Sequence, residues 1–375
     1  MNIGVNLSDK EKFIKILEVI DPRYSKLNIM LIFVPLAVFF EISKNHGLAF
    51  IMSMLAIMPL AYLMGKATEE IALRTSQSIG GLLNATFGNA VEMIIAGLAI
   101  FAAYNNPDVT STMIEVVQAS LIGSILGNLL LVLGLAFVWG GINYPSQNFS
   151  VKASQVNGSL LLLALVGMII PEVYSSSTEG NSVIQLSHYT AFLLLFVYFL
   201  QLLFQLKTHA DLYAAEGHHD EIAEMSQNEA IKLLFGSTIF VAWMAEILVG
   251  SISYAAEEYH LPTLFIGVIL VPLFGNAAEH FTAVTVAGKN KMDLSVGIAI
   301  GSSIQIALFV SPIMVLLGWV LGVPMTLQFG TFETLVTFMA VIITNFIIQD
   351  GESNWLEGSM LLITYAIIAL AFLFL

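Results

Sequence analysis

Two glutamates set in apolar surroundings carry the chemistry this chain can do. One closes Phe87-Gly88-Asn89-Ala90-Val91-Glu92, and the other closes Phe274-Gly275-Asn276-Ala277-Ala278-Glu279, 187 residues further on. A carboxylate at the centre of a bilayer costs about 2.5–3.5 kcal/mol on insertion scales. A purely structural pair would be neutralised by bases on neighbouring helices, yet apart from Lys232, at the very start of one run, no Lys or Arg lies in the long apolar runs. The alternative is a cation site shared by the two acids at mid-membrane.

The residues around each acid fit that alternative. Asn89 and Glu92, like Asn276 and Glu279, are three apart and share a helical face. Gly88 and Gly275 weaken the helix locally, and Pro272 adds a second break. A broken helix frees backbone carbonyls, which a membrane tolerates only where they line a cavity or hold something. The donors on offer are carboxylate, amide and carbonyl oxygens, and an oxygen set of about six to eight suits Ca²⁺ better than Mg²⁺.

Charge balance then dictates a mechanism. Two ionised glutamates around one divalent cation are neutral, and so are two protonated glutamates with no cation. The empty, doubly ionised site is the costly state. If only the neutral states change access, cation and protons must alternate, which is antiport. Sodium as the counter-ion fits the same logic.

Other polar residues rank behind these. Ser124 and Asn128 lie in Gly123-Ser124-Ile125-Leu126-Gly127-Asn128; Ser302 and Gln305 lie in Gly301-Ser302-Ser303-Ile304-Gln305. They either complete the shell or act as glue between helices. Both stretches carry GxxxG (Gly123/Gly127 and Gly297/Gly301), which predicts close backbone approach. His280 points about 100° away from Glu279 on a helix and is a candidate to tune or relay protons. Glu246 is a third acid within an apolar run, with Glu69 and Glu70 as its counterparts at a cytoplasmic vestibule or a solvated helix end.

The elements that must position these groups follow from composition. The chain has 375 residues, 57% of them hydrophobic and 11% charged, with mean hydropathy +0.86. That predicts an all-α polytopic membrane protein. Apolar runs fall near 28–43, 47–65, 79–104, 113–139, 158–174, 187–206, 231–255, 262–287, 293–320, 330–348 and 355–375, giving eleven expected transmembrane helices. Of 13 basic residues, only Lys44 falls on the side opposite the N-terminus. This bias puts the N-terminus in the cytoplasm and the C-terminus on the other side, of the cell membrane if the source is prokaryotic. With the first helix as an extra, helices 2–6 and 7–11 form two five-helix halves. Five being odd, the halves are inverted and meet at a midplane site.

The expected divisions are a cytoplasmic amphipathic segment at 1–27, the first transmembrane helix at 28–46, the first repeat at 47–206, an acidic connector at 207–230 and the second repeat at 231–375. Within the first of these, Ser8-x-x-Glu11 opens a surface helix over 8–20. The connector, with Asp211, Glu216, His218, His219, Asp220, Glu221, Glu224 and Glu229, is a solvated linker or an antenna that concentrates cations at the cytoplasmic mouth. Adjacent His218 and His219 would point apart on a helix, a weak metal signal.

Several classes drop out. A net charge of −14 speaks against nucleic-acid partners. With no Cys there is no disulfide framework or thiolate site. Neither the His-Glu-x-x-His of zinc proteases nor a Gly-x-Ser-x-Gly elbow occurs. The expectation is a transporter rather than an enzyme, without a cofactor.

The paired motifs, followed by Gly301-Ser302-Ser303-Ile304-Gln305, resemble the H⁺/Ca²⁺ exchanger family of the cation/Ca²⁺ antiporter superfamily, over nearly the whole chain. The resemblance implies removal of cytosolic Ca²⁺ driven by protons, with Glu92 and Glu279 binding either ion. It also implies that the motif backbone, Asn89, Asn276, Ser124, Asn128, Ser302 and Gln305 contribute around the site, and that the chain assembles into trimers. The halves are not identical: Gly127-Asn128 in one corresponds to Gln305-Ile306 in the other.

Overall fold

In a bilayer every backbone N–H and C=O must be satisfied within the segment, and a helix does so for an isolated apolar run. All eleven expected runs are helical over most of their length in the computed structural model. It describes residues 15–75, 80, 82–83, 86–175, 177, 181–212 and 223–375. The Ser8–Glu11 capping box and the connector residues Glu216, His218, His219, Asp220 and Glu221 lie outside the described residues.

A short helix α1 (Ile16–Ile20) and a 3-10 stretch (Lys26–Ile32) lead into α2 (Phe33–Ile42). The first half continues with α3 (His46–Ala72), α4 (Ala90–Asn105), α5 (Thr110–Leu126), α6 (Leu133–Asn143), α7 (Val151–Ser175) and α8 (Asn181–Leu203). The second half opens with α9 (Gln227–Glu258), α10 (Thr263–Phe265), α11 (Val271–Gly275) and α12 (Ala277–Ala287). It ends with α13 (Met292–Gln305), α14 (Ser311–Leu321), α15 (Thr331–Ile347) and α16 (Trp355–Leu373). Turns of π-helix join α5 to α6 (Gly127–Val132), α10 to α11 (Ile266–Leu270) and α13 to α14 (Ile306–Val310).

Among the described residues, seven continuous helices are long and apolar enough to cross a membrane, and the bent pair Thr263–Gly275 and Ala277–Ala287 makes an eighth. The other three expected runs are helical but shorter. The first begins as 3-10 turns, the run at 79–104 is divided at Gly88-Asn89, and α15 has 17 residues. Helix α9 also starts inside the expected connector, because Ser226 accepts the Glu229 N–H and caps it.

Packing between the halves is reciprocal. Helix α3 runs along its counterpart α9, and α7 packs on its counterpart α15. The first motif helix α4 touches α9, and the second motif helix α12 touches α3. Likewise α8 packs on α14 while α16 packs on α6. A twofold axis between the halves generates this exchange of neighbours.

Loops gather in two groups. In one, β1 (Gln147–Asn148) pairs antiparallel with β2 (Glu352–Ser353), with Gln147 opposite Ser353. Gln147 also donates to the Ala287 carbonyl and to Asn290, and the Ser150 N–H donates to Asp293. The other group joins Gln118 to the carbonyls of Thr326 and Gln328, and Thr331 to Glu172.

Candidate functional site

The Gly-Asn pair interrupts both motif helices in the same way. Asn89 has φ −100°, ψ 15°, and Asn276 has φ −100°, ψ 7°. Each is the N-cap of the helix that follows, so Glu92 and Glu279 lie in the first turns of α4 and α12. There the unbonded N–H groups and the helix dipole favour negative charge. At the second break the axis bends by 61°. Pro272, lacking an N–H, follows the π turn at Ile266–Leu270.

Neither asparagine side chain caps its own helix. Both reach across to the opposite half. Asn276 Nδ2 donates to Glu92 Oε1 at 2.6 Å and lies 3.1 Å from Ser124 Oγ. Asn89 Nδ2 donates to Gln305 Oε1 at 2.6 Å. The Ser302 hydroxyl stands 3.0 Å from Glu279 Oε2 and 3.2 Å from Asn89 Oδ1, bridging the second acid to the first motif.

Glu92, Asn89, Asn276, Ser124 and Ser302 are buried, while Glu279 and Gln305 are half-buried. Among the described residues, Glu92 Oε2 is buried without a hydrogen-bond partner. Such an oxygen is costly unless a proton or cation meets it. Among the described residues no three His, Cys, Asp or Glu side chains converge on a metal position. The site therefore offers two carboxylates with amide and hydroxyl oxygens around them.

His280 and Asn128 pair with each other, both buried, with Nε2 3.1 Å from Asn128 Oδ1. Of the remaining expected acids, Glu246 is exposed on α9. Glu70 neither lines an open vestibule nor forms a solvated end, because it is fully buried. Lys66 and Arg74 lie 3.4 and 3.1 Å from its carboxylate, which also accepts the N–H groups of Glu224 and Met225. Glu69 is ion-paired at 3.7 Å with the same Lys66. This cluster ties the end of the connector to α3.

Residues 45–207 and 230–374 match the family described as sodium/calcium exchanger protein. The chain belongs to that family. Among its relatives, a protein of Aphanothece halophytica named Ca(2+)/H(+) antiporter is 45% identical over 92% of this chain and 95% of its own. Vacuolar cation/proton exchanger 2 of Oryza sativa subsp. japonica is 44% identical over 93% of this chain and 81% of its own. The solved structure of native YfkE superposes with a TM-score of 0.80 at 38% identity, covering 93% of this chain and 100% of that one. The exchanger is thus a multi-pass integral membrane transporter, not an enzyme.

Two features of the exchanger site escaped the sequence reading. The asparagines act across the halves rather than along their own helices. The N-cap position of each asparagine was also available as a signal, since Asn-x-x-Glu is the spacing of a capping box. Of the four GxxxG glycines, Gly123 alone among the described residues meets close backbone approach, and a Cβ on Gly127 would have only His280 Cε1 at 4.0 Å. A Cβ on Gly123 would lie 2.0 Å from the Val268 carbonyl oxygen, whereas Gly297 and Gly301 have nothing within 4 Å.

Proposed function

We propose that this exchanger moves Ca²⁺ out of the cytosol in return for H⁺ by alternating access, with Glu92 and Glu279 holding either one Ca²⁺ or protons. One observation carries the reading. The two motif carboxylates, each in the first turn of a broken helix, take part in two sets of hydrogen bonds that cross between the halves, and among the described residues Glu92 Oε2 is buried without a partner. Ca²⁺ is the cargo, and Asn89, Asn276, Ser124 and Ser302 supply the surrounding oxygens and donors, with Gln305 holding Asn89. The relatives named as Ca²⁺/H⁺ antiporter and cation/proton exchanger support the choice of ions.

The steps follow from charge. With Ca²⁺ between them, both carboxylates are ionised and the site is neutral. Protons displace Ca²⁺ by neutralising each carboxylate in turn. Asn276 donates to whichever form Glu92 takes, since a protonated carboxyl retains an accepting oxygen. Access changes in either neutral state. It does not change in the doubly charged one, whose two like charges repel in low dielectric.

The arrangement in the membrane is eleven spans with the N-terminus cytoplasmic and the C-terminus opposite. Loop contacts support it. Residues 147–150, 287–293 and 352–353, which meet one another, all belong to the cytoplasmic face on this count. Those that join Gln118 and Glu172 to 326–331 belong to the other. Homotrimeric assembly, implied by the family resemblance, is tested by the mass of the solubilised protein.

The deciding experiment is transport in proteoliposomes loaded with Ca²⁺ under an imposed pH gradient, following both ions. Ca²⁺ flux driven by the pH gradient, with counterflow of H⁺, is expected. Flux that follows an imposed Na⁺ gradient and ignores pH would overturn the reading.

A further inference from the structure

The two halves offer nearly the same site twice, and one side chain spoils the match. Asn89 corresponds to Asn276, Glu92 to Glu279 and Gly123-Ser124 to Gly301-Ser302, so Gln305 stands where the first half has Gly127. In one direction Asn276 reaches across to Ser124 and delivers its amide to Glu92. In the other, Asn89 reaches the hydroxyl of Ser302, as symmetry demands, but delivers its amide to Gln305 and not to Glu279. Gly127 has no side chain with which to compete for Asn276.

We propose that Gln305 makes the inward- and outward-facing states of the site inequivalent by holding the Asn89 amide away from Glu279. This rests on the exchange reading above. A site symmetric under exchange of its halves would present the same donors to a cation arriving from either face, and would bind it equally from both. Here Glu92 keeps an amide donor, whereas among the described residues Glu279 has a shared hydroxyl. Of the other departures from symmetry, His280 and Asn128, in place of Met93 and Ile306, pair with each other, and Ser303, in place of Ile125, donates to the Ala299 carbonyl. Gln305 is thus a positioning residue that acts through Asn89, and it sets the sidedness of Ca²⁺ affinity.

The test uses the full-length protein in vesicles of both orientations. The Ca²⁺ concentration for half-maximal transport is measured from each face for wild type, Gln305→Gly, Asn89→Ala and the double variant. Moving an amide from a neutral acceptor to a charged one is worth about fivefold. The ratio of the two affinities in Gln305→Gly should move toward one by about that factor, and the shift should vanish when Asn89 is already Ala. Gln305→Met keeps the volume and loses the acceptor, so it should give the same shift if the glycine variant folds poorly. A wild-type ratio of one, an equal change on both faces, or a shift that persists without Asn89 each overturns the proposal. A wild type that carries no Ca²⁺ at all would instead overturn the exchange reading.

Discussion

Asn276 Nδ2 lies 2.6 Å from Glu92 Oε1, a hydrogen bond between residues 184 apart in sequence and on opposite halves of the molecule. It holds one oxygen of Glu92, while the second has no partner among the described residues. Loss of a hydrogen bond to a charged group is worth about 1.5–3 kcal/mol. Asn276→Ala should therefore weaken apparent Ca²⁺ affinity by one to two orders of magnitude. Because the amide favours the ionised carboxylate, its removal also lets protons compete better. Half-maximal Ca²⁺ uptake should then require more alkaline pH than in wild type. A transport titration at several pH values reads both effects.

Glu92→Gln and Glu279→Gln each keep the side-chain volume and remove the exchangeable charge. Each should abolish Ca²⁺/H⁺ exchange, measured in proteoliposomes, while leaving thermal stability in detergent close to wild type. Normal transport by either variant would remove that glutamate from the site.

Glu70 answers to a different measurement. It is buried between Lys66 and Arg74 and holds the backbone of the connector's end. Breaking a buried pair by deleting one partner costs about 3–5 kcal/mol. Glu70→Ala should lower the melting temperature markedly and make the 207–230 stretch more susceptible to protease. Transport per folded molecule should keep its wild-type Ca²⁺ affinity.

The two GxxxG stretches should respond differently to a single methyl group. Gly123→Ala forces a Cβ onto the Val268 carbonyl, and overpacking of this kind costs about 1–3 kcal/mol. Gly297→Ala meets open space and should be neutral in stability. Thermal melts of the two variants beside wild type make the comparison.

Tyr24 gives the N-terminal segment a pH limit. Burial, and then its hydrogen bond to Glu224, push the Tyr24 hydroxyl up to about 12 from 10.0. A raised value in the folded state means the contact contributes fully below pH 10.0 and fades as pH rises through about 12. Protease sensitivity near residue 24 should rise across that window. Tyr24→Phe, which cannot donate to Glu224, should show the higher sensitivity already at neutral pH.

Much of this was legible in the chain. Apolar runs located the helices, because a bilayer leaves a polypeptide few alternatives. The repeated Gly-Asn-Ala-x-Glu-type motif pointed to the candidate site, because a carboxylate at that depth has few bland explanations. What stayed hidden depends on contacts between residues far apart in sequence. That Asn89 bonds to Gln305 and Asn276 to Glu92 follows from how the halves meet, not from the local spacing of Asn and Glu. Glu70 looked like a helix-end charge because its partners, Lys66 and Arg74, sit one turn away on either side and its backbone donors arrive from beyond residue 220. Glu246 reads the same as a pathway acid or an outer-face one until the neighbours of α9 are known.

The wide turns at Gly127–Val132 and Ile306–Val310 begin within four residues of Ser124 and Ser302. Each stores one surplus residue in its helix. Passing that surplus along by a single turn swivels the intervening side chains by about 100° with nearly every backbone bond remade. The hydroxyls beside the acids thus sit on a ratchet, able to turn toward or away from an ion without the rod that bears them coming apart.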